Sequence, residues 1–141
     1  MNWGRKSLTL IGALRVTGWI ALGTMFNTAN GDRFVRWLRR TLLPKLRRGD
    51  IIVMDNAKAH HDPRVAPCCA AHGVRVVYLP PYSPDFNPIE PSWALQKQHV
   101  RKSAPRDPRS LRRVARRARY RVTPYHCRRW FAHAGYLAPL K

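Results

Sequence analysis

The apolar positions of this chain begin in strand-like stretches and then alternate between helical and strand spacing. Ser7 to Val16 (S-L-T-L-I-G-A-L-R-V) and Gly18 to Phe26 (G-W-I-A-L-G-T-M-F) are both aliphatic and alternating. The few residues between them suit a tight turn, which predicts an antiparallel hairpin. From Asn30-Gly31-Asp32, with Asp32 as the expected cap, Phe34, Leu38 and Leu42 recur every four residues with Val35 beside them. That stripe predicts a helix, which Pro44 should kink or end near Leu43. Ile51 to Met54 is a continuous apolar run ending at Asp55, as expected of a strand buried on both faces. Asp62-Pro63 opens the next predicted helix, Gly73 closes it, and Val74 to Leu79 predicts a second buried strand. Five prolines between Pro80 and Pro91 favour a fixed, extended loop. Three further helices are expected: one from about Pro91 or Ser92 towards Arg101, one after Asp107-Pro108, and one from Thr123-Pro124 to Gly135. In the second of these, Leu111, Val114, Ala118 and Val122 share a face.

The order strand, strand, helix, strand, helix, strand is that of an α/β fold. The 141 residues are enough for one domain with a real core. Charge changes the picture more than size does. Lys and Arg number 27 against 7 acids, a formal net charge of +20. Such a field favours a polyanion, nucleic acid first, with an anionic membrane surface or a ribosomal setting as the rival. No apolar run approaches the ~20 residues of a membrane span. The three cysteines, Cys68, Cys69 and Cys127, form no C-x-x-C, so neither a disulfide framework nor a zinc knuckle is suggested. Reduced cysteines in a cytosolic protein are the simple reading. From Arg101 to Arg129 there are 12 basic residues and one acid, Asp107. Arg112, Arg113, Arg116 and Arg117 are candidate phosphate contacts, or simply a solvated helix face. The tryptophans Trp19, Trp37, Trp93 and Trp130 sit beside aliphatic stripes and are expected to pack in the core.

Two acids are candidates for chemistry. Asp55 would stand at the C-terminal end of a central strand, where α/β sheets open onto their ligands. Glu90, the only glutamate, stands at a helix start with 34 residues between it and Asp55. Carboxylate oxygens are what Mg²⁺ or Mn²⁺ require, and a pair of such ions can clamp an in-line phosphoryl displacement. Each residue also has a plain alternative. Glu90 suits the positive end of a helix dipole, and Asp55 could cap a turn with Asn56.

The words around these acids change the odds. Asp55-Asn56-Ala57-Lys58-Ala59-His60, then Leu79-Pro80-Pro81-Tyr82-Ser83-Pro84-Asp85-Phe86-Asn87-Pro88-Ile89-Glu90 with Trp93 following, closely resembles the second half of the catalytic domain in mariner-superfamily transposases. The bacterial insertion-sequence branch is the closest in pattern. The resemblance extends more loosely from Leu8 to Tyr136, including Trp130 and Gly135-Tyr136. It implies a ribonuclease H-like mixed sheet flanked by helices and an acidic triad with Asp55 second and Glu90 third. Both would be catalytic metal ligands for Mg²⁺ or Mn²⁺. Asn56 and His60 become site neighbours, and Asn87 shapes the loop that positions Glu90. His60 would contact the scissile phosphate or orient Asp55, or else face solvent beside His61. Residues 1–102 would form a partial catalytic domain, with 103–141 a basic helical extension packed on it.

One departure stands out. In the family the first acid lies on a strand upstream of the hairpin, and a helix-turn-helix region precedes that. Here the chain opens at the expected second strand, and neither Asp32 nor Asp50 suits the first role. The sequence therefore predicts a carboxy-terminal part of a transposase, with its partner half encoded in another reading frame or lost. Weak metal binding and little cleavage by this chain alone are expected. DNA is the expected partner, on paired ends as a dimer, in the bacterial cytoplasm at the nucleoid. A non-catalytic DNA-binding remnant is the second reading. An unrelated basic nucleic-acid-binding protein ranks last, because it gives no reason for the Pro80 to Glu90 loop.

Overall fold

The computed structural model describes residues 2–3, 6–26 and 30–136, with side chains placed for 8–25 and 30–136. The chain forms two compact units, one of Met1–Thr28 with Pro88–Lys141, the other of Ala29–Asn87.

In the first unit the predicted hairpin is present. A short β1 (Asn2–Trp3) precedes β2 (Lys6–Arg15) and β3 (Gly18–Phe26), and the three pair antiparallel in that order. Gly12 faces Leu22, and a bulge between Ala13 and Leu14 adjusts the register before the turn. A Cβ on Gly12 would lie 2.8 Å from a carbon of the Trp19 ring. The glycine thus makes room for Trp19, whose ring lies 5.3 Å from that of Trp93. Both tryptophans are partly buried packing residues, as expected.

Three helices complete this unit: α3 (Ile89–Ser103), α4 (Pro108–Arg117) and α5 (Pro124–His133). Asp107 starts α4 by accepting a hydrogen bond from the Ser110 amide at 2.9 Å. Hydrogen bonds from Ser110 also lower its carboxyl pKa. The predicted stripe is the packed face: Leu111 and Ala115 of α4 form a core with Val100 of α3, against which Leu8, Leu10 and Val114 pack. α5 opens with a reciprocal cap between Thr123 and His126. Residues 137–141, part of the expected basic extension, lie outside the described residues.

The second unit begins with α1 (Gly31–Trp37). Its cap is Asn30, whose Oδ1 accepts from the Arg33 amide at 2.9 Å. Asp32, expected in that role, sits inside the first turn and pairs with Arg64 at 2.7 Å. An amide or carboxylate can serve a cap equally, so the one-residue phase had to come from the structure. The helix widens to i→i+5 spacing over Leu38–Leu42 and tightens to a 3₁₀ turn at Leu43–Lys45. Pro44, which has no N–H to continue the ladder, closes it as expected. β4 (Ile51–Met54), α2 (Val65–Ala71) and β5 (Arg75–Tyr78) follow, the two strands pairing parallel with Val53 opposite Val77.

Burial on both faces of these strands is not found. Ile51, Val53 and Val77 are 51%, 36% and 39% exposed, while Met54 is buried. A run of β-branched residues shows that a strand tolerates burial on both sides; it does not supply the covering layer. The Ile51–Val53–Val77 face is thus only partly covered.

Gly73 closes the α2–β5 connection at φ +70, and its carbonyl accepts from the Gly49 amide at 2.8 Å. A Cβ there would also sit 2.6 Å from Cγ of Arg48. Gly73→Ala should cost about 1–2 kcal/mol in urea unfolding, because a side chain on left-handed backbone crowds the following carbonyl. Trimming the flexible Arg48 to Ala in the same background should recover only a small part.

No helix among the described residues is long and apolar enough to cross a membrane.

Candidate active site

Asp55 follows the last residue of β4, at the C-terminal end of a parallel pair, as the sequence predicted. Two donors meet its Oδ1: the Ala57 amide at 2.9 Å and His60 Nδ1 at 2.8 Å. The first is a local Asx turn, the plain role foreseen for this residue. The second is a longer-range constraint. A carboxylate accepts, and Nδ1 also lies 3.2 Å from the Asp55 carbonyl, so Nδ1 of His60 carries a proton. Among the described residues Oδ2 accepts no hydrogen bond. The carboxylate is 45% exposed and His60 is 25% exposed, so this pair orients more than it stabilises.

The rest of the neighbourhood holds His60 in place. Its ring lies 4.7 Å from that of Phe34. Its carbonyl accepts from the Tyr78 hydroxyl at 2.6 Å. Asn56 ties the ends of the two strands together, donating from Nδ2 to the Leu79 carbonyl at 2.7 Å. Its Oδ1 faces His61 Nε2 at 2.9 Å, and His61 stacks on Tyr78 with centroids 4.2 Å apart. Tyr78 is thus central to the site, and sequence reasoning missed it. Its only sequence signal was its alternation phase in β5, which puts it on the face opposite Val77. Burial raises the pKa of its phenol, so it remains a proton donor to the His60 carbonyl.

Glu90 lies in the first turn of α3, in the other unit, and is exposed. The phase of α3 explains this. Ser92, Gln96 and Val100 are its buried residues, four apart. Glu90, two residues before Ser92, points about 200° away from that stripe. The buried polar pair was not foreseen. Ser92 Oγ donates to the Ile89 carbonyl at 2.5 Å, while Gln96 Oε1 has no partner among the described residues. The proline-rich loop before α3 contains a 3₁₀ turn at Pro84–Phe86, and Asn87 follows it. Tyr82 at its tip holds φ +57 and is fully exposed, a conformation unusual for a residue with a side chain.

The structure therefore brings Asp55, Asn56 and His60 together, adding His61, Tyr78 and Phe34. Carboxylate oxygens suit a hard divalent ion, but no group of three His, Cys, Asp or Glu side chains able to hold a metal occurs among the described residues. Of the candidate DNA contacts, Arg113, Arg116 and Arg117 are exposed on α4. Arg112 is turned onto the sheet, donating to Thr24 Oγ1 at 2.8 Å and to the Thr24 carbonyl at 3.1 Å.

Comparison with known proteins follows the same lines. The fold is similar to that of Mos1 in its strand transfer complex (TM-score 0.54, 21% identity), its pre-cleavage transpososome (0.53, 19%) and its mariner paired end complex with Mn (0.51, 19%). In each case 99% of this chain is covered, against 47%, 48% and 48% of the Mos1 chain. The chain thus spans about half the length of these relatives. No curated protein matches it. The sequence profile described as "DDE superfamily endonuclease" matches residues 3–112, more than three quarters of the chain, and the chain belongs to that family.

Proposed function

We propose that this chain is the part of a mariner-like DDE transposase that carries the second and third metal-holding acids, Asp55 and Glu90. The parent enzyme cuts and joins DNA strands, using water and then a DNA 3′-hydroxyl as nucleophile. The observation that supports this most is the Asp55 carboxylate itself. It stands at a strand end, is oriented through Oδ1 by two donors, and leaves Oδ2 open to a cation.

Enzymes of this superfamily use divalent metals. Asp55 and Glu90 would hold them, Mg²⁺ or Mn²⁺. Such ions, when bound, stabilise charge on the transferred phosphate and lower the pKa of the attacking hydroxyl. The chain's own residues do the positioning. His60 fixes the Asp55 rotamer, and Asn56 locks the β4 end to the start of the proline-rich loop. Asn87 shapes the end of that loop before Glu90. Arg113, Arg116 and Arg117 engage DNA phosphates, while Arg112 serves mainly to hold α4 on β3 through Thr24. Residues 1–102 supply the catalytic part and residues 103–141 its basic extension.

The other acids have local work. Asp32 and Asp62 pair with Arg64, which holds the Asp62 carboxyl at about 2. Asp50 accepts from the Arg47 amide at 2.8 Å, Asp107 caps α4, and Asp85 lies in the 3₁₀ turn of the loop. The first acid of the triad would then lie outside these 141 residues, in the upstream half of a bacterial insertion-sequence enzyme. The assembly would be a dimer on paired DNA ends at the nucleoid.

The test is cleavage of duplex DNA carrying the element's ends. The purified chain alone should show none with Mg²⁺ or Mn²⁺, and adding the upstream half should restore it. Robust cleavage by the chain alone would show that its own acids suffice. Failure of the reconstituted pair would favour a non-catalytic DNA-binding remnant.

A further inference from the structure

The arginine-rich end of the chain carries a feature that phosphate binding alone does not use. Two tyrosines stand out of the surface there, Tyr120 at 71% and Tyr125 at 61% exposure. Each is accompanied by a guanidinium. Arg119 lies 4.7 Å from the Tyr120 ring centroid and donates to its hydroxyl at 2.6 Å. Arg129 lies 5.7 Å from the Tyr125 centroid, with its Nη1 3.4 Å from that hydroxyl. The backbone beneath is anchored. Ala118 and Cys127 are fully buried, Val122 is 8% exposed, and the Thr123–His126 cap fixes the entry to α5. The rings are therefore mounted on an anchored turn, each beside a guanidinium and otherwise open to water. Arg116, Arg117, Arg121 and Arg128 are exposed in the same stretch of chain, and no acid follows Asp107 in the sequence.

An apolar contact with a protein partner would not require so one-sided a charge. A duplex would use the arginines but not the rings, since its bases already stack on one another. Exposed aromatic faces among cations match a single strand, whose unstacked bases lie on the rings while its phosphates meet the arginines. We propose that the Arg119–Arg129 surface is a binding platform for unpaired nucleic acid, with Tyr120 and Tyr125 each stacking one base. This site lies outside the acidic one and does not depend on how Asp55 and Glu90 act.

The test uses the full chain and three fluorescein-labelled probes: a 12-nucleotide oligothymidylate, a 12-base-pair duplex, and an abasic strand of the same length. Binding is followed by anisotropy across a salt series. Tyr120→Ala and Tyr125→Ala should each weaken oligothymidylate binding about 5- to 100-fold, the range for losing one stacked base. The salt slope should not move, and duplex and abasic binding should change less than about twofold, because no phosphate contact is lost. Tyr→Phe at either position should restore binding, which also controls for folding. Arg119→Ala and Arg129→Ala should instead flatten the salt dependence on all three probes. Unchanged oligothymidylate affinity in the alanine variants would overturn the proposal, as would an equal loss on all probes. Binding to none of the probes would overturn it together with the DNA-binding role of α4; duplex binding that persists would confine the failure to this platform.

Discussion

Asp55→Asn in the reconstituted enzyme should lower strand cleavage by at least about 10³-fold, the scale on which loss of one charge-stabilising group is felt in a catalytic centre. The substitution keeps the size and the turn contact to Ala57 but removes the charge that holds a cation. Glu90→Gln should have a similar effect, and the double variant should fall far short of the product of the two single effects, because groups that serve one chemical step fail together. His60→Ala should be milder, about 10- to 100-fold, as is usual for a residue that orients a ligand without touching the metal. His60→Asn, able to donate one hydrogen bond towards Asp55, should regain part of this. The ordering is the informative result. A His60 effect as large as that of Asp55 would mean that the ring touches substrate and does not merely hold Asp55.

The second large effect is on stability. Leu111→Ala should cost about 2–5 kcal/mol, the range for truncating a buried leucine. Leu111 is 2% exposed and joins α4 to α3 and β2 through Val100 and Leu8. For a chain of this size that corresponds to a fall in Tm of about 3 °C for each kcal/mol. Leu111→Met should cost less than about 1.5 kcal/mol, because it keeps the volume. The methionine variant should also keep duplex affinity. Arg113, Arg116 and Arg117 of α4 are exposed while Leu111 is buried, so core volume and charge are separable on this helix.

That separation was legible in the sequence, because a 3.6-residue stripe and its charged complement are both local patterns. The hairpin, the helix, strand, helix, strand order after it and the Pro44 stop were legible for the same reason. The partners of Asp55 were less so. His60 was named from the family resemblance, but Phe34, Tyr78 and His61 reach the site from 21, 23 and 6 residues away, and contacts of that kind depend on how α1 and β5 pack. The open face of β4 and β5 was misjudged, since an apolar run does not reveal what covers it. Ser92 and Gln96 reversed the usual rule outright: two polar residues are fully buried on α3, and Glu90 is exposed as a result.

Paramagnetic broadening by Mn²⁺ tests the central claim most directly, because it reads weak binding on the chain itself. Substoichiometric Mn²⁺ should broaden the amide signals of residues 55–60 together with those of Ile89, Glu90 and Ser92. In Asp55→Asn the signals of residues 55–60 should stay sharp, and in Glu90→Gln those of Ile89, Glu90 and Ser92 should. Broadening that persists in these variants, or that leaves either segment of the parent chain untouched, would contradict the assignment of Asp55 and Glu90 as metal-holding residues.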